Sequence, residues 1–334
     1  MSKSIWTLAL ALLLIAGTAS AGPQNGTGTE LPLPWAYGMP IDGSTPPQPA
    51  CVIPKTPGEP KHMSGTEKTF TITQLTDCFG PGDWFPESHP PMPDVVAHGR
   101  RPDINACALC HYPNGKGRPE NAGVSGLPVA YFIQQMNDFK NGLRKSAEPR
   151  KVNVNRMIIF AKAMTDEEIK AAADYFGSIK WTPWIKVVEA TDVPKTRVAA
   201  GLFLPLEGTE TEPLGNRVIE IPVNLEATET LRDPRSGFIA YAPIGSLKKG
   251  EDLVNTGGNG KTLPCGICHG PKFEGVGPIP PLAGRSPSYA ARQIYDFQHG
   301  ARNGASAALM QKVVANLTND DIVAITAYLA SVAP

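Results

Sequence analysis

Apolar and polar positions follow a helical pattern in two separate stretches, one near the middle of the chain and one at its end. Thr165 and Thr318 each stand before such a stretch, with acidic residues in the turn that follows and with Glu168 and Asp321 at the third helical position. Hydroxyl and carboxylate groups at these positions satisfy free backbone N–H groups and interact favourably with the helix dipole. The pattern therefore predicts a helix after each threonine.

Between these stretches the pattern changes to that of extended chain. Residues 218–223 alternate apolar and polar side chains, and residues 197–206 form a second extended apolar run. A period of two is typical of β-strands. We expect a small β-hairpin or an irregular strap within residues 182–244, a segment far longer than a simple linker.

The chain begins with a pattern typical of export. Lys3 precedes an apolar run over residues 8–16, and Ala19-Ser20-Ala21 follows as a small-residue cleavage site. These features predict a secretory signal peptide over residues 1–21. The run is shorter than the roughly 20 apolar residues that a transmembrane helix needs, so we expect no transmembrane segment in the mature chain. An uncleaved membrane tether is the alternative.

The helical stretches belong to a longer internal repeat. Shifting the second half by 158 positions superposes Tyr131 on Tyr289, Gln135 on Gln293, Asp138 on Asp296, Gly142 on Gly300 and Arg144 on Arg302. Further along the chain the shift becomes 153, which places five extra residues after Arg144. The repeat indicates two domains of one architecture, over residues 91–181 and 245–334.

Each repeat contains one Cys-x-x-Cys-His motif, and the two motifs superpose at the shift of 158. Their residues are Cys107, Cys110 and His111 in the first repeat and Cys265, Cys268 and His269 in the second. Two thiols one helical turn apart can each add to a vinyl group of haem, and the adjacent imidazole then reaches the iron. The sequence therefore predicts two covalently bound haem c groups, each anchored by two cysteines and ligated by one histidine.

Other uses of paired cysteines fit the sequence less well. A thioredoxin-like redox pair belongs to a βαβ pattern, and a zinc ribbon brings two Cys-x-x-Cys pairs within roughly 20 residues of each other. A closed structural zinc site also needs four protein ligands. Neither context surrounds the motifs, which favours haem over a metal ion or a disulfide.

The repeat also predicts the ligand on the other side of each iron. At the shift of 153, Met157 superposes on Met310, so each domain offers a thioether at the same place and His/Met ligation follows. Other side chains compete for this role, and they are Met136, Met164, His98 and His299. The two methionines are better interpreted as gap-filling core residues, and the two histidines as ordinary polar side chains.

Each half resembles a class I cytochrome c domain, and the tandem is similar to the di-haem cytochrome c4 family. The second half carries most of the resemblance, through Pro281-Leu282-Ala283-Gly284, the helix of Tyr289 and Gln293, then Met310 and residues 317–322. The first half departs from it at Gly123, which stands where Pro281 would be expected, and at the five-residue insertion. The resemblance implies a mostly α fold, with short helices around each haem.

Residues 22–90 form a proline-rich extension outside this resemblance, and their proline density predicts polyproline or turn structure rather than helix. Cys51 and Cys78 are the only cysteines outside the motifs, and an oxidising compartment would join them in a disulfide. A free thiol or an iron ligand is the alternative. Three aromatic side chains are expected to pack on the body of the protein, namely Trp35, Trp84 and Phe85.

Charge gives a hint about where the extension lies. Residues 22–91 hold three basic and seven acidic side chains, whereas residues 92–181 hold thirteen basic and nine acidic ones. These opposite imbalances favour an extension that lies across the first domain and shields its haem. Simple solvation of the charges is the alternative.

Two His/Met haems predict electron transfer, because an iron with all positions filled leaves no place for a substrate. Covalent haem attachment occurs outside the cytoplasmic membrane in bacteria, which together with the signal peptide predicts a periplasmic protein. The expected partners are redox proteins: a dehydrogenase or respiratory complex as donor, and an oxidase or reductase as acceptor. A formal net charge of +0 gives no support for nucleic-acid binding.

Two alternative functions stay open. The chain could be the cytochrome subunit of a dehydrogenase complex, with the extension and the strap as its interface. It could also be a di-haem peroxidase or a thiosulfate-oxidising enzyme, which needs an iron with an open or displaceable position. Two roles also stay open for Arg144 and Arg302. Each could bond to a haem propionate, or each could be a solvated side chain.

Overall fold

Short pieces of secondary structure lead into two helical domains in the computed structural model, which describes residues 33–39 and 58–334. The signal peptide predicted over residues 1–21 and Cys51 lie outside these ranges, so the export signal and the Cys51–Cys78 disulfide stay predictions. Cys78 itself is buried. Within the described ranges, every helix is too short or too polar to cross a membrane.

The described part of the extension holds one-turn helices and two-residue strands: α1 (Pro34–Tyr37), β1 (Lys61–His62), β2 (Thr69–Phe70) and α2 (Ile72–Leu75), then the 3₁₀ turn Pro86–Ser88. The expectation that prolines exclude helix is wrong at α1 and α2. α1 begins with Pro34, and proline at the first helical position loses no hydrogen bond because that N–H has no partner within the helix. α2 contains no proline and starts at a reciprocal cap between Thr71 and Gln74. Trp35, Trp84 and Phe85 are buried, as predicted.

Five helices form the first domain: α3 (Asp94–Ala97), α4 (Cys107–His111), α5 (Val129–Lys140), α6 (Val152–Ala163) and α7 (Asp166–Ser178). Phe139, Ile169 and Phe176 are buried in its apolar core. The predicted start of α7 is confirmed. The Thr165 hydroxyl accepts the Glu168 N–H, and the Glu168 carboxylate accepts the Thr165 N–H.

The strap is a β-rich segment with one short helix: β3 (Ile185–Glu189), β4 (Asp192–Pro194), β5 (Thr196–Ala199), β6 (Leu202–Pro205), β7 (Thr211–Pro213), β8 (Ile219–Pro222), α8 (Leu225–Glu229) and β9 (Phe238–Ala242). β9 is the middle strand of a sheet, with β3 parallel on one side and β8 antiparallel on the other. The run at residues 218–223 contains β8, and the run at residues 197–206 folds into the β5–β6 hairpin. The expectation of extended chain between the domains is confirmed.

The second domain repeats the first with a longer opening helix: α9 (Ser246–Thr256), α10 (Gly266–His269), α11 (Pro287–Gln298), α12 (Ala307–Val314) and α13 (Asn319–Ser331). Thr318 and Asp321 form the reciprocal cap at the start of α13, as predicted. Helices α9 and α13 cross closely at Gly250, where a β-carbon would collide with the carbonyl group of Ala324. Glycine at this position lets the two helix backbones touch.

The two domains meet through equivalent arginines. Arg144 and Arg302 face each other in an antiparallel bridge. Each guanidinium donates to a glutamine of the other domain, Arg144 to Gln293 at 2.9 Å and Arg302 to Gln135 at 2.6 Å. Arg302 is buried and Arg144 is half-buried. The interpretation of these arginines as solvated side chains is therefore wrong.

Arg285 provides a second link between the domains. Its buried guanidinium donates to the carbonyl groups of Gly123 and Ser125, both at 3.0 Å, and stacks on the Trp181 ring at 3.9 Å. A β-carbon on Gly123 would lie 2.6 Å from the Trp181 ring. Glycine therefore stands at position 123, where the repeat has Pro281, because the Trp181 ring leaves no room for a β-carbon there.

Candidate haem sites

The two Cys-x-x-Cys-His motifs form the short helices α4 and α10, at the same place in each domain. The four motif cysteines carry free thiols. Directly after the motif histidine the chain turns out of the helix with a positive φ, which is 59° at Tyr112 and 85° at Gly270. Glycine adopts such a φ without strain, whereas a bulky residue does so only where its surroundings hold it. The first motif therefore ends in a backbone conformation that neighbouring residues must stabilise.

Both motif histidines are held in the same orientation. Nδ1 of His111 lies 2.9 Å from the Ala122 carbonyl oxygen, and Nδ1 of His269 lies 2.8 Å from that of Pro280. A carbonyl oxygen only accepts, so Nδ1 carries the proton and Nε2 keeps its lone pair for a metal. Burial lowers the pKa of both imidazoles, which favours the neutral form that ligates iron.

Burial favours the neutral form of the first thiol in each motif. Burial raises the pKa of Cys107 to about 12 and that of Cys265 to about 11. Zinc and disulfide exchange both use thiolates, which form readily only where the pKa is low. Across the described ranges, no group of three or more His, Cys, Asp or Glu side chains could hold a metal ion. A Cys-x-x-Cys pair beside one free imidazole nitrogen fits a covalent haem.

The methionines considered as iron ligands differ in burial. Met136 and Met164 are buried in the core of the first domain, and Met157 packs against that core from α6 while staying partly exposed. Met310 is half-buried on α12, the counterpart of α6. These positions are compatible with iron ligation by Met157 and Met310, which remains a prediction.

The two histidines considered for bis-His ligation lie at the surface. His98 and His299 are both exposed. The His299 ring stacks on Tyr295 with 3.8 Å between ring centroids, and its Nδ1 lies 2.9 Å from the Tyr295 carbonyl oxygen. Local contacts on its own helix therefore account for His299.

Comparison with known protein families divides the chain into the same two domains as the repeat. The profile of the cytochrome c family matches twice, over residues 98–180 and 248–333. The chain belongs to the cytochrome c family. Each match contains one motif and falls within one of the two repeats, so this cytochrome has two haem-binding domains.

Several relatives resemble this cytochrome along most of their length. Cytochrome c4 of Azotobacter vinelandii is 28% identical over 67% of this chain and 82% of that protein. The thiosulfate dehydrogenase electron acceptor of Thiomonas intermedia is 26% identical over 69% of this chain and 80% of that protein. Reduced cytochrome c4 from Pseudomonas stutzeri aligns with 23% identity and a TM-score of 0.45, covering 68% of this chain and 93% of that one.

The family matches and the cytochrome c4 relatives together establish the class of this cytochrome. It is a mostly helical di-haem class I cytochrome c with covalently bound haem c, and it transfers electrons between redox partners.

The extension contacts the first domain through a histidine. Nε2 of His89 lies 3.0 Å from the Asp83 carboxylate, and Nδ1 lies 2.8 Å from the Pro90 carbonyl oxygen. Nδ1 is also 3.0 Å from the hydroxyl of Tyr175 on α7, which donates to the Pro113 carbonyl at 2.7 Å. Protonated His89 can donate from both ring nitrogens at once, and this ties the extension to the chain just after the first motif.

We expect this attachment to weaken as the pH rises. Hydrogen bonding to Asp83 raises the pKa of His89 above its ordinary value. A group whose pKa is raised by folding stabilises the fold fully below its unfolded pKa of about 6.5. That contribution is lost as the pH rises through the folded pKa. Proteases should therefore cut the extension several-fold faster at alkaline than at mildly acidic pH, since the largely buried His89–Asp83 pair contributes on the order of 1 kcal/mol.

Two variants separate this effect from general loosening of the protein. Asp83→Asn removes the carboxylate that favours protonated His89, so cleavage should become nearly independent of pH. His299→Gln changes an exposed histidine of the second domain and should keep the wild-type profile. An Asp83→Asn protein whose cleavage still accelerates with pH as in the wild type contradicts the assignment.

The sequence patterns do not identify three residues that lie near the sites, namely Tyr112, Arg232 and Arg285. Arg285 superposes on Leu127 and Tyr112 on Gly270 at the shift of 158, so the repeat hides them as mismatches. Arg232 lies in the strap, which has no counterpart in the repeat. Of these, only Tyr112 carries a local signal, because a bulky residue replaces a glycine directly after the motif.

Proposed function

We propose that this cytochrome is an exported, periplasmic electron carrier that takes electrons from a dehydrogenase or respiratory complex and passes them to a terminal acceptor. The observation that carries the proposal is the matched pair of histidines, each fixed through Nδ1 and free at Nε2. Similarity to a thiosulfate dehydrogenase electron acceptor supports a dehydrogenase as the donor. The sequence of residues 1–21 supports export.

The residues have distinct roles in this proposal. Cys107 and Cys110 would hold the first haem and Cys265 and Cys268 the second, while His111 with Met157 and His269 with Met310 would ligate the two irons. Bound haem supplies a reversible one-electron iron couple. The protein supplies neutral imidazoles, a buried setting and a thioether that raises the reduction potential.

The domain interface supports transfer between the two haems within one chain. Arg144, Arg302 and Arg285 cross from one domain to the other and bond to side chains or carbonyl groups there. Such bonds fix the relative position of residues 91–181 and 245–334, the boundaries that we propose for the haem domains. A fixed separation keeps the electron path constant. We also propose that a Cys51–Cys78 disulfide holds the extension.

A redox titration followed by visible absorption tests the function. We expect two electrons per chain, the long-wavelength band of methionine-ligated ferric haem on both irons, and no turnover with hydrogen peroxide or thiosulfate. Both irons should be low-spin because all their positions are filled. A high-spin haem, or turnover with either substrate, would revive the enzyme alternative.

A further inference from the structure

The two motif helices differ strongly in exposure, although they are equivalent in the repeat. The Leu109 side chain, between the cysteines of the first motif, is 9% exposed, whereas its counterpart Ile267 is 71% exposed. Leu263 and Val276, on either side of α10 in sequence, are 56% and 54% exposed. We call Leu263, Ile267 and Val276 the open patch.

The open patch lies beside the second attachment helix. Leu263 and Ile267 are four residues apart, at the entrance and in the middle of the motif. Gly275, next to Val276, donates its N–H to the His269 carbonyl at 2.7 Å. Backbone bonds therefore bring all three apolar side chains close to the place where the second haem is attached.

A cap covers the first motif, and it consists of residues 78–90 of the extension and 231–235 of the strap. Arg232 donates to the carbonyl of Leu109, and its guanidinium lies 5.3 Å from the centre of the Tyr112 ring. The Pro234 carbonyl accepts from the Asn114 side chain at 2.6 Å. The cap thus also holds Tyr112, whose positive φ needs support from its surroundings.

Bonds between the two segments make the cap a single unit. The Trp84 indole N–H donates to the Leu231 carbonyl at 2.7 Å, and the Arg235 guanidinium lies 3.5 Å from the centre of the Phe85 ring. Neither segment belongs to the repeat. In the part of the chain that the structure describes, Ile267 has no comparable cover, since most of its side chain is exposed.

We propose that redox partners dock on the open patch and exchange electrons with the second haem, while the first haem exchanges electrons only through the second. This proposal rests on the function proposed above and specifies which of the two haems exchanges electrons with the partners. The extension and the strap distinguish this chain from a plain tandem of two domains. They then cover one of two otherwise equivalent surfaces at which electrons could be exchanged with a partner.

The partner that fits the open patch has an apolar docking face with little net charge. Lys272 and Glu274 beside the patch carry opposite charges, and Lys261 is paired with Asp321 at 2.5 Å. Three exposed aliphatic side chains offer roughly 300 Å² of apolar surface, the size of the largest patch on an ordinary monomer, and such patches are often functional. A permanent complex buries about 1,200 Å² or more, so the patch suits a brief encounter with a redox protein better than a stable second copy.

Stopped-flow reduction tests the proposal on the intact di-haem protein. The protein donor is a reduced blue copper protein with an uncharged, apolar docking face, and dithionite is the small donor. In each event with the copper protein, one electron leaves Cu(I), which becomes Cu(II), and one ferric haem becomes ferrous. The variants Leu263→Asp and Val276→Asp place a charge in the open patch without touching the motif, and Val223→Asp is the control, at a 65% exposed apolar residue of the strap.

We expect each patch variant to slow reduction by the copper protein about tenfold, equivalent to about 1.4 kcal/mol. The whole absorbance change should slow, because the first haem receives its electron through the second. Val223→Asp and reduction by dithionite should stay at wild-type rates, and salt should change the protein rate little.

Several results would overturn the docking proposal. They are wild-type rates in both patch variants, a fast phase that keeps about half of the absorbance change, and a concentration-dependent dimer that the patch variants abolish. Each leaves the function itself standing, provided that dithionite reduces both haems. Failure of dithionite to deliver two electrons per wild-type chain would instead contradict the proposed function.

Discussion

Cys265→Ala combined with Cys268→Ala is expected to yield a protein with one haem in place of two. The two thiols are the only proposed covalent anchors of the second haem, and His269 alone would hold it by a single coordination bond. Folding of the second domain should suffer as well, because a group that binds only the folded state stabilises it. Intact mass and haem absorbance per chain measure the loss.

The matched variant is Cys107→Ala with Cys110→Ala, which should lose the first haem by the same reasoning. Proteolysis then shows which domain has loosened in each variant, since α10–α13 should become sensitive in one protein and α4–α7 in the other. A doubly substituted protein that keeps both haems by mass would contradict the assignment of its motif. Loss of both haems from either variant would mean that the domains do not fold independently.

Local chemistry made part of this structure predictable. The caps at Thr165 and Thr318 depend on side chains three residues apart, so the sequence shows both partners together. The motif helices follow for the same reason, because the haem anchors and the imidazole lie within five residues. The β5–β6 hairpin joins strands that are neighbours in sequence. In each case, the interacting groups are close along the chain.

Long-range pairings were not predictable in this way. Strand β3 pairs in parallel with β9, about fifty residues later, and no local pattern connects them. The bond of Arg232 to Leu109 spans 123 residues. The helix α1 was missed because composition averages over a segment, whereas one proline at a helix start obeys a local rule.

The candidate sites likewise combine features that the sequence predicts with features that only the fold shows. The repeat identified matching positions such as Arg144 and Arg302, but comparison of two sequences carries no information on exposure. Leu109 and Ile267 are equivalent apolar residues in the repeat, and only the fold shows that one is covered and the other is not. The asymmetry between the two haem domains therefore comes from the extension and the strap, not from the domains themselves.

Met310→His is expected to lower the reduction potential of the second haem by on the order of 100 mV or more. Axial ligands set haem potentials over a range of about 0.8 V, and methionine lies toward the high end. Imidazole favours ferric iron more than a thioether does, so the potential falls when it replaces the methionine. Met310 is the only methionine of residues 245–334, so the long-wavelength band of this haem should disappear as well. A redox titration and the oxidised spectrum measure both changes.

The first domain needs a control because it holds more than one methionine. Met157→His should lower the potential of the first haem as Met310→His lowers that of the second. Met136→Leu and Met164→Leu change buried core residues, and both should keep the wild-type spectrum, with a loss of stability of less than about 1.5 kcal/mol. If Met136→Leu or Met164→Leu removed the band while Met157→His preserved it, the ligand of the first haem would be the core methionine. Because the other domain stays unchanged in each variant, its potential provides an internal reference within the same molecule.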